Sequence, residues 1–273
     1  VAAYSNKDEA SYQTIDKYIK EYKVGGLIFF QGTPQKQAEL TNRYQAESKT
    51  PLWVGFDGEW GLGMRLDNTI SYPRQLTLGA IDNPELIYDM GKEVARQMKR
   101  IGIHINFAPD IDVNSNPNNP VINDRSFGDN KFGVVRRGLA YMQGMQDNKI
   151  LASGKHFPGH GDTDVDSHYG LPVLQHSIER LDKIELYPFK ALIRNGIGSI
   201  MVAHMNVLAL DNTPNLPSTL SKKIVQEKLI DEMGFKGLIF TDALNMKGVS
   251  ANYPSGVAEV KAIQAGNDVM LFP

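Results

Sequence analysis

Apolar positions along the chain fall into two alternating patterns. Short runs rich in β-branched and aromatic residues occur near Val1 to Tyr4, Gly26 to Phe30, Leu52 to Asp57, Ile103 to Phe107, Ile150 to Lys155, Ser199 to Ala203, Gly237 to Thr241 and Asp268 to Leu271. They are apolar nearly throughout, as parallel strands covered on both faces are. The segments between them carry helical spacing. From Pro84 to Arg100, Leu86, Ile87, Met90, Val94 and Met98 recur at intervals that would put them on one helical face, with charges at the other positions. Eight strand-like runs alternating with helices predict an α/β fold of the (β/α)8 TIM-barrel type. An open dinucleotide-binding sheet has little support, because no Gly-rich fingerprint follows the first run.

The length of 273 residues suits one barrel, so a single domain over residues 1–273 is expected. Val1-Ala2-Ala3-Tyr4 has neither an initiator Met nor a basic leader region, and the strand-like Val269 to Phe272 has only Pro273 after it. Both ends suggest a chain cut from a longer one, with a processed N-terminus and a further C-terminal domain; processing favours the cell envelope or secretion over the cytoplasm. The net charge of −2, with Lys and Arg interspersed among acids, gives no basic stripe for nucleic acid. No apolar run approaches the ~18 residues of a membrane span. The absence of cysteine excludes disulfides and thiolate metal sites.

Barrel enzymes carry their chemistry at the C-terminal ends of the strands. Here those ends supply Asp57 and Glu59, Asp110 and Asp112, Lys155 and His156, His204, and Asp242, and long irregular stretches follow at Pro109 to Asn130 and Phe157 to Gln175. The fourteen residues from Lys155 to His168 hold three His and three Asp. Asp166 and His168 would share a face in an extended segment, where the carboxylate could orient the imidazole as an acid/base. Pro158, Gly159 and Gly161 suggest a mobile lid. A zinc or manganese site is the rival reading of such a cluster. Barrel metallohydrolases of the amidohydrolase type need His-x-His at the first strand end, where this chain has Tyr4-Ser5-Asn6, so no metal is expected. Asp242 ends a buried strand and is rigidly aimed; Lys155 or Arg125 nearby would keep it ionised, the bland reading being a helix N-cap. Arg125 and Lys155 are fixed cationic donors that could hold ligand oxygens through several hydrogen bonds. His104 and His204 read as satisfied core groups and His176 as solvated.

Lys155-His156-Phe157-Pro158-Gly159-His160-Gly161 with Asp166-Ser167-His168, and Phe240-Thr241-Asp242-Ala243-Leu244-Asn245-Met246, resemble two motifs of the bacterial β-N-acetylglucosaminidases of glycoside hydrolase family 3. Asn123-Asp124-Arg125-Ser126-Phe127-Gly128 is similar to the family's sugar-gripping loop, and Asp57 to its hydroxyl-binding carboxylate. The resemblance implies a barrel without cofactor or metal, acting on terminal β-linked N-acetylglucosamine of glycans or cell-wall muropeptides. It implies Asp242 as nucleophile, Asp166 and His168 as the proton-transfer pair, and Asp57, Arg65, Arg125, Lys155 and His156 as sugar ligands in the −1 subsite. A donor that never becomes an anion also leaves phosphorolysis open. The same residues could serve a broader β-glycosidase or a non-catalytic glycan-binding barrel. One departure stands out: the family usually has Glu-Gly-Gly where this chain has Glu59-Trp60-Gly61. Trp60 would either narrow a subsite, offer a stacking face, or fill core.

Overall fold

The computed structural model describes residues 1–273. Its eight-stranded sheet uses every one of the eight expected runs: β1 (Ala2–Tyr4), β2 (Gly26–Phe30), β3 (Trp53–Phe56), β4 (Ile105–Asn106), β5 (Leu151–Phe157), then β7 (Ser199–Val202), β9 (Leu238–Ala243) and β10 (Val269–Leu271). The strands pair in parallel in that order, each ladder joining chain neighbours within the sheet. Sequence patterning misses a second, two-stranded sheet, β6 (Val173–Leu174) paired with β8 (Asn206–Val207). These are pairs of residues within loops, too short to show a period.

The sheet is curled. Ile28, Ile105, Phe107, Met201, Phe240 and Leu271, drawn from β2, β4, β7, β9, β10 and the residue after β4, form one buried cluster inside it. The rings of Phe30 and Phe272, from opposite edges of the sheet, lie 5.7 Å apart. No ladder links β10 back to β1, so what is observed is an α/β fold with a curled parallel sheet.

Helices cover the outer face. Pro84–Arg100 forms as predicted, with Asn83 accepting the Glu85 amide at its N-cap. Its buried face is Ile87, Met90, Val94 and Met98, joined by Gly91 and Ala95, whereas Leu86 points outward and is 57% exposed. Two small residues explain the shift of the face. Gly91 lies against the Tyr141 carbonyl of helix Lys131–Gln146, and Gly144 of that helix lies against the Tyr88 carbonyl. The two helices therefore cross in backbone contact, and neither position has room for a Cβ.

Gly144→Ala is expected to destabilise the fold by about 1–3 kcal/mol through overpacking at this crossing. Gly133, whose nearest obstruction is the flexible end of Arg137, is the control position. Urea unfolding of both alanine variants checks this: equal midpoints would refute a rigid crossing.

Candidate active site

The residues at the strand ends converge on one cavity of about 490 Å³. Asp57, Glu59, Trp60, Arg65, Arg125, Lys155, His156, His168 and Asp242 all line it, together with apolar residues such as Phe30, Val121, Met201 and Met246. Seven of the eight expected site residues are therefore brought together. The eighth, Asp166, stands behind His168. Its Oδ1 accepts both the His168 backbone amide (2.9 Å) and Nδ1–H (2.7 Å), so the pair meets through a tight turn rather than along an extended face. Nδ1 is thereby occupied as a donor, and Nε2 is the nitrogen left for other partners. The His168 side chain is 56% exposed at the cavity mouth.

At one end of the cavity sits an ion cluster. Lys155 Nζ bridges Asp57 (3.1 Å) and Glu59 (2.8 Å); Arg65 reaches the other oxygen of Asp57 at 2.8 Å. Arg125 grips Glu59 with Nε and Nη2, the shortest contact being 2.7 Å. Glu59 is wholly buried. Burial opposes its charge, but Arg125 and Lys155 outweigh burial and hold its carboxyl far below the ordinary range. The sequence puts Glu59 at a strand end without assigning it a role; a buried acid two residues from Asp57 is visible as a partner only once Arg125 and Lys155 are in place.

His156 extends this cluster toward β9. Its Nδ1 lies 2.8 Å from Asp112 Oδ2, and its Nε2 lies 3.2 Å from Arg125 Nη2. A guanidinium only donates, so Nε2 accepts and Nδ1 carries the proton; the network assigns the tautomer. Asp112 also accepts the backbone amides of His156 and His160. Burial would raise it, but the hydrogen bond from His156 and these neighbours keep it below the usual value. Asp110 behaves oppositely. Burial and the adjacent Asp112 charge push its carboxyl well up, and its Oδ2 has no hydrogen-bond partner.

Asp242 lies at the end of β9 with Oδ1 accepting the Ala243 amide at 2.8 Å. Burial raises it, yet His204, His156, that amide and His168 bring it below the ordinary carboxylate value. This corrects the expectation that Lys155 or Arg125 would keep it ionised, since both cations are committed to Asp57 and Glu59. The N-cap reading fails as well, because β9 runs on to Ala243 and the next helix begins at Lys247.

The loop after β5 is tied down by its own side chains. His160 is buried, with Nδ1 at 2.6 Å from Thr163 Oγ1 and Nε2 at 3.1 Å from Ser167 Oγ, so it ties down the residue preceding His168. Gly161 packs against the Val113 carbonyl and Gly159 against Glu185, where side chains would collide. These glycines permit close approach at both positions. His176 is not merely solvated: its Nε2 is 2.7 Å from Asp162, which also takes Arg180 at 3.1 Å. His204, bonded to Thr219 and to the Ala243 carbonyl, and His104, accepting the Val54 amide, are satisfied groups as expected.

Two groups of side chains have metal-ligand character, Asp110/Asp112/His156 and Asp162/His176/Glu185. In the first, Asp112 and His156 are already engaged by N–H donors. In the second, the Arg180 guanidinium sits on Asp162 and on Glu185 at 3.0 Å, where a cation would go.

Residues 5–273 match the model of the glycosyl hydrolase family 3 N-terminal domain. The chain belongs to glycosyl hydrolase family 3. It is 36% identical to beta-hexosaminidase A of Pseudoalteromonas piscicida over 95% of its own length and 47% of that protein's. Its fold superposes on a family 3 beta-N-acetylglucosaminidase from Paenibacillus sp. str. FPU-7 with a TM-score of 0.93 at 38% identity, covering 99% of this chain and 52% of that one. The beta-glucoside phosphorylase BglX, bound to 2FGlc, gives a TM-score of 0.93 at 26% identity, over 100% of this chain and 50% of its own. The chain thus spans about half the length of these relatives. No helix is long and apolar enough to cross a membrane.

Two outcomes are expected from this geometry. Glu59→Ala leaves Arg125 and Lys155 short of a buried partner and should cost about 3–5 kcal/mol of stability, read by denaturant unfolding; a loss under about 1 kcal/mol would mean the cluster is not mutually dependent. Burial lowers His160 to about 4, below the unfolded value near ~6.5. The neutral imidazole therefore contributes stability above pH ~6.5 that is lost as pH falls from there through about 4. The stability gap between the wild type and His160→Gln should accordingly shrink between pH ~7.5 and ~4.5; a gap that widens on acidification would contradict it.

Proposed function

We propose that this protein is a retaining, exo-acting β-N-acetylglucosaminidase, with residues 1–273 as its catalytic unit and the curled sheet closing as a (β/α)8 barrel. The observation that carries this reading is that Asp242 and His168 face one cavity, one as an ionised strand-end carboxylate and the other with Nε2 free. The family membership and the names of the relatives support the same reaction.

In this mechanism the free Oδ2 of Asp242 attacks C1 of the sugar. His168 Nε2 delivers a proton to the glycosidic oxygen as that bond breaks, and a glycosyl ester to Asp242 results. Asp166 holds the imidazole through Nδ1 and so fixes the direction in which Nε2 points. In the second half His168 takes a proton from water, the water oxygen bonds to C1, and Asp242 leaves as a carboxylate. Two displacements return the β-anomer. Asp57, Arg65, Lys155, Arg125 and His156 bind the sugar hydroxyls. The ammonium and guanidinium groups of Lys155, Arg65 and Arg125, already fixed by Asp57 and Glu59, need no reorganisation when substrate arrives.

Phosphorolysis is the second reading, favoured by the likeness to BglX and by a donor that never carries negative charge toward an incoming anion. Product formation that requires inorganic phosphate and yields a sugar 1-phosphate would select it over hydrolysis.

Asp242→Asn should fold normally and lose nearly all turnover of an aryl N-acetylglucosaminide, and the first product of the wild type should be the β-anomer; activity within about tenfold of wild type, or an α-anomer, overturns the scheme. His168→Ala should nearly abolish cleavage of poor leaving groups while sparing much of the glycosylation step for activated aryl ones. Equal losses for both classes would move the proton donor elsewhere. N-acetylglucosaminides should be preferred to matching glucosides in kcat/KM.

A further inference from the structure

The cavity has two chemically different ends. Asp242, at the end of β9, lines the cavity together with His156 and His168 and marks where the scissile bond must lie. Asp57, Glu59, Arg65, Arg125 and Lys155 make up the other end, and His156 spans the two through its 3.2 Å contact with Arg125. A pyranose with C1 at Asp242 directs C4 and the C6 branch away from C1, toward the ion cluster.

Trp60 lines the cavity and, as the residue directly after Glu59, belongs to the end that carries the ion cluster. Three contacts hold it there. The turn carrying it is closed by the Gly61 amide donating to Gly58 O at 3.1 Å, and the Trp60 carbonyl accepts the Tyr72 amide at 3.0 Å. The Arg74 guanidinium lies over the indole, 3.6 Å from its centroid, and reaches Asp124, the neighbour of Arg125, at 3.6 Å. A guanidinium stacked this closely pins the ring by cation–π attraction. The indole is half-buried, so it is a lining group rather than core filler.

We propose that Trp60, pinned by Arg74, is the wall that ends the −1 subsite. It closes the space beyond C4 and C6 of the bound sugar and confines the enzyme to terminal residues without substituents there. A glycine at this position would leave that end open. The inference rests on the glycosidase reading above and adds a specificity-determining residue to it.

The test uses three aryl β-N-acetylglucosaminides sharing one leaving group: unsubstituted, 4-O-methyl and 6-O-methyl. The wild type should discriminate against at least one methyl ether, and Trp60→Gly should shrink that kcat/KM ratio by about 10–200-fold, the range a single methyl is worth in a fitted pocket. Arg74→Gln, which releases the ring, should shrink it partway. If Trp60→Gly does not fold, the graded pair Trp60→Leu and Trp60→Phe reads the same ratio, with Phe retaining most of the wild-type discrimination. A ratio unchanged in every folded variant overturns the wall. So does a loss that instead tracks the leaving group across a series of aglycones, since Trp60 would then lie on the other side of the scissile bond. Failure of the wild type to cleave even the unsubstituted glycoside is a separate result, which removes the glycosidase reading itself.

Discussion

The site exists because buried charges neutralise one another. Glu59, Lys155 and Arg125 would each be costly at the end of a packed sheet, but the contacts of 2.7 and 2.8 Å among them make the set tolerable. Once that set is fixed, Lys155 positions Asp57, Asp57 positions Arg65, and Arg125 presents a donor to His156 Nε2. His156 in turn is held by Asp112. A rigid array of donors and acceptors follows from one requirement, that no ion be left alone.

The order of the sheet delivers these groups. Asp57 and Glu59 follow β3, Lys155 and His156 lie on β5, and Asp242 lies on β9, so three non-adjacent strands contribute to one cavity. At β5 the pairing with β7 shifts register between Gly154 and Phe157, the stretch in which consecutive side chains, Lys155 and His156, both reach the cavity. The irregularity sits where the chemistry needs two neighbours on one side of a strand.

Much of this is legible in the chain itself. Eight apolar runs become eight strands because parallel strands covered on both faces carry a strong, local signal. The strand-end rule points to Asp57, Lys155, His156 and Asp242, and the family motifs add Arg65, Arg125 and His168; all of these line the cavity. What stays hidden is relational. Nothing in Glu59 alone announces that it is the counter-ion of Arg125, sixty-six positions away. Leu86 fits a helical apolar pattern yet faces solvent, because Gly91 and Gly144 set which face can approach the neighbouring helix. Gly159 and Gly161 carry the composition of a flexible loop, while their role is to let backbone pass against Glu185 and Val113. Composition reports conformational freedom; it does not report what occupies the space a side chain would need.

The Asp162–His176 hydrogen bond also sets how much change in length the loop can absorb. It fastens the loop after β5 at its neck, on either side of the turn that bears Asp166 and His168. With the neck fastened, the cost of lengthening the segment beyond it grows only logarithmically, about 0.6 kcal/mol for each doubling. Insertions and deletions at the tip can then accumulate without disturbing the strand beneath. The mouth of the cavity can absorb changes in loop length, while at the floor, where every ion depends on another, loss of one group strands its partners.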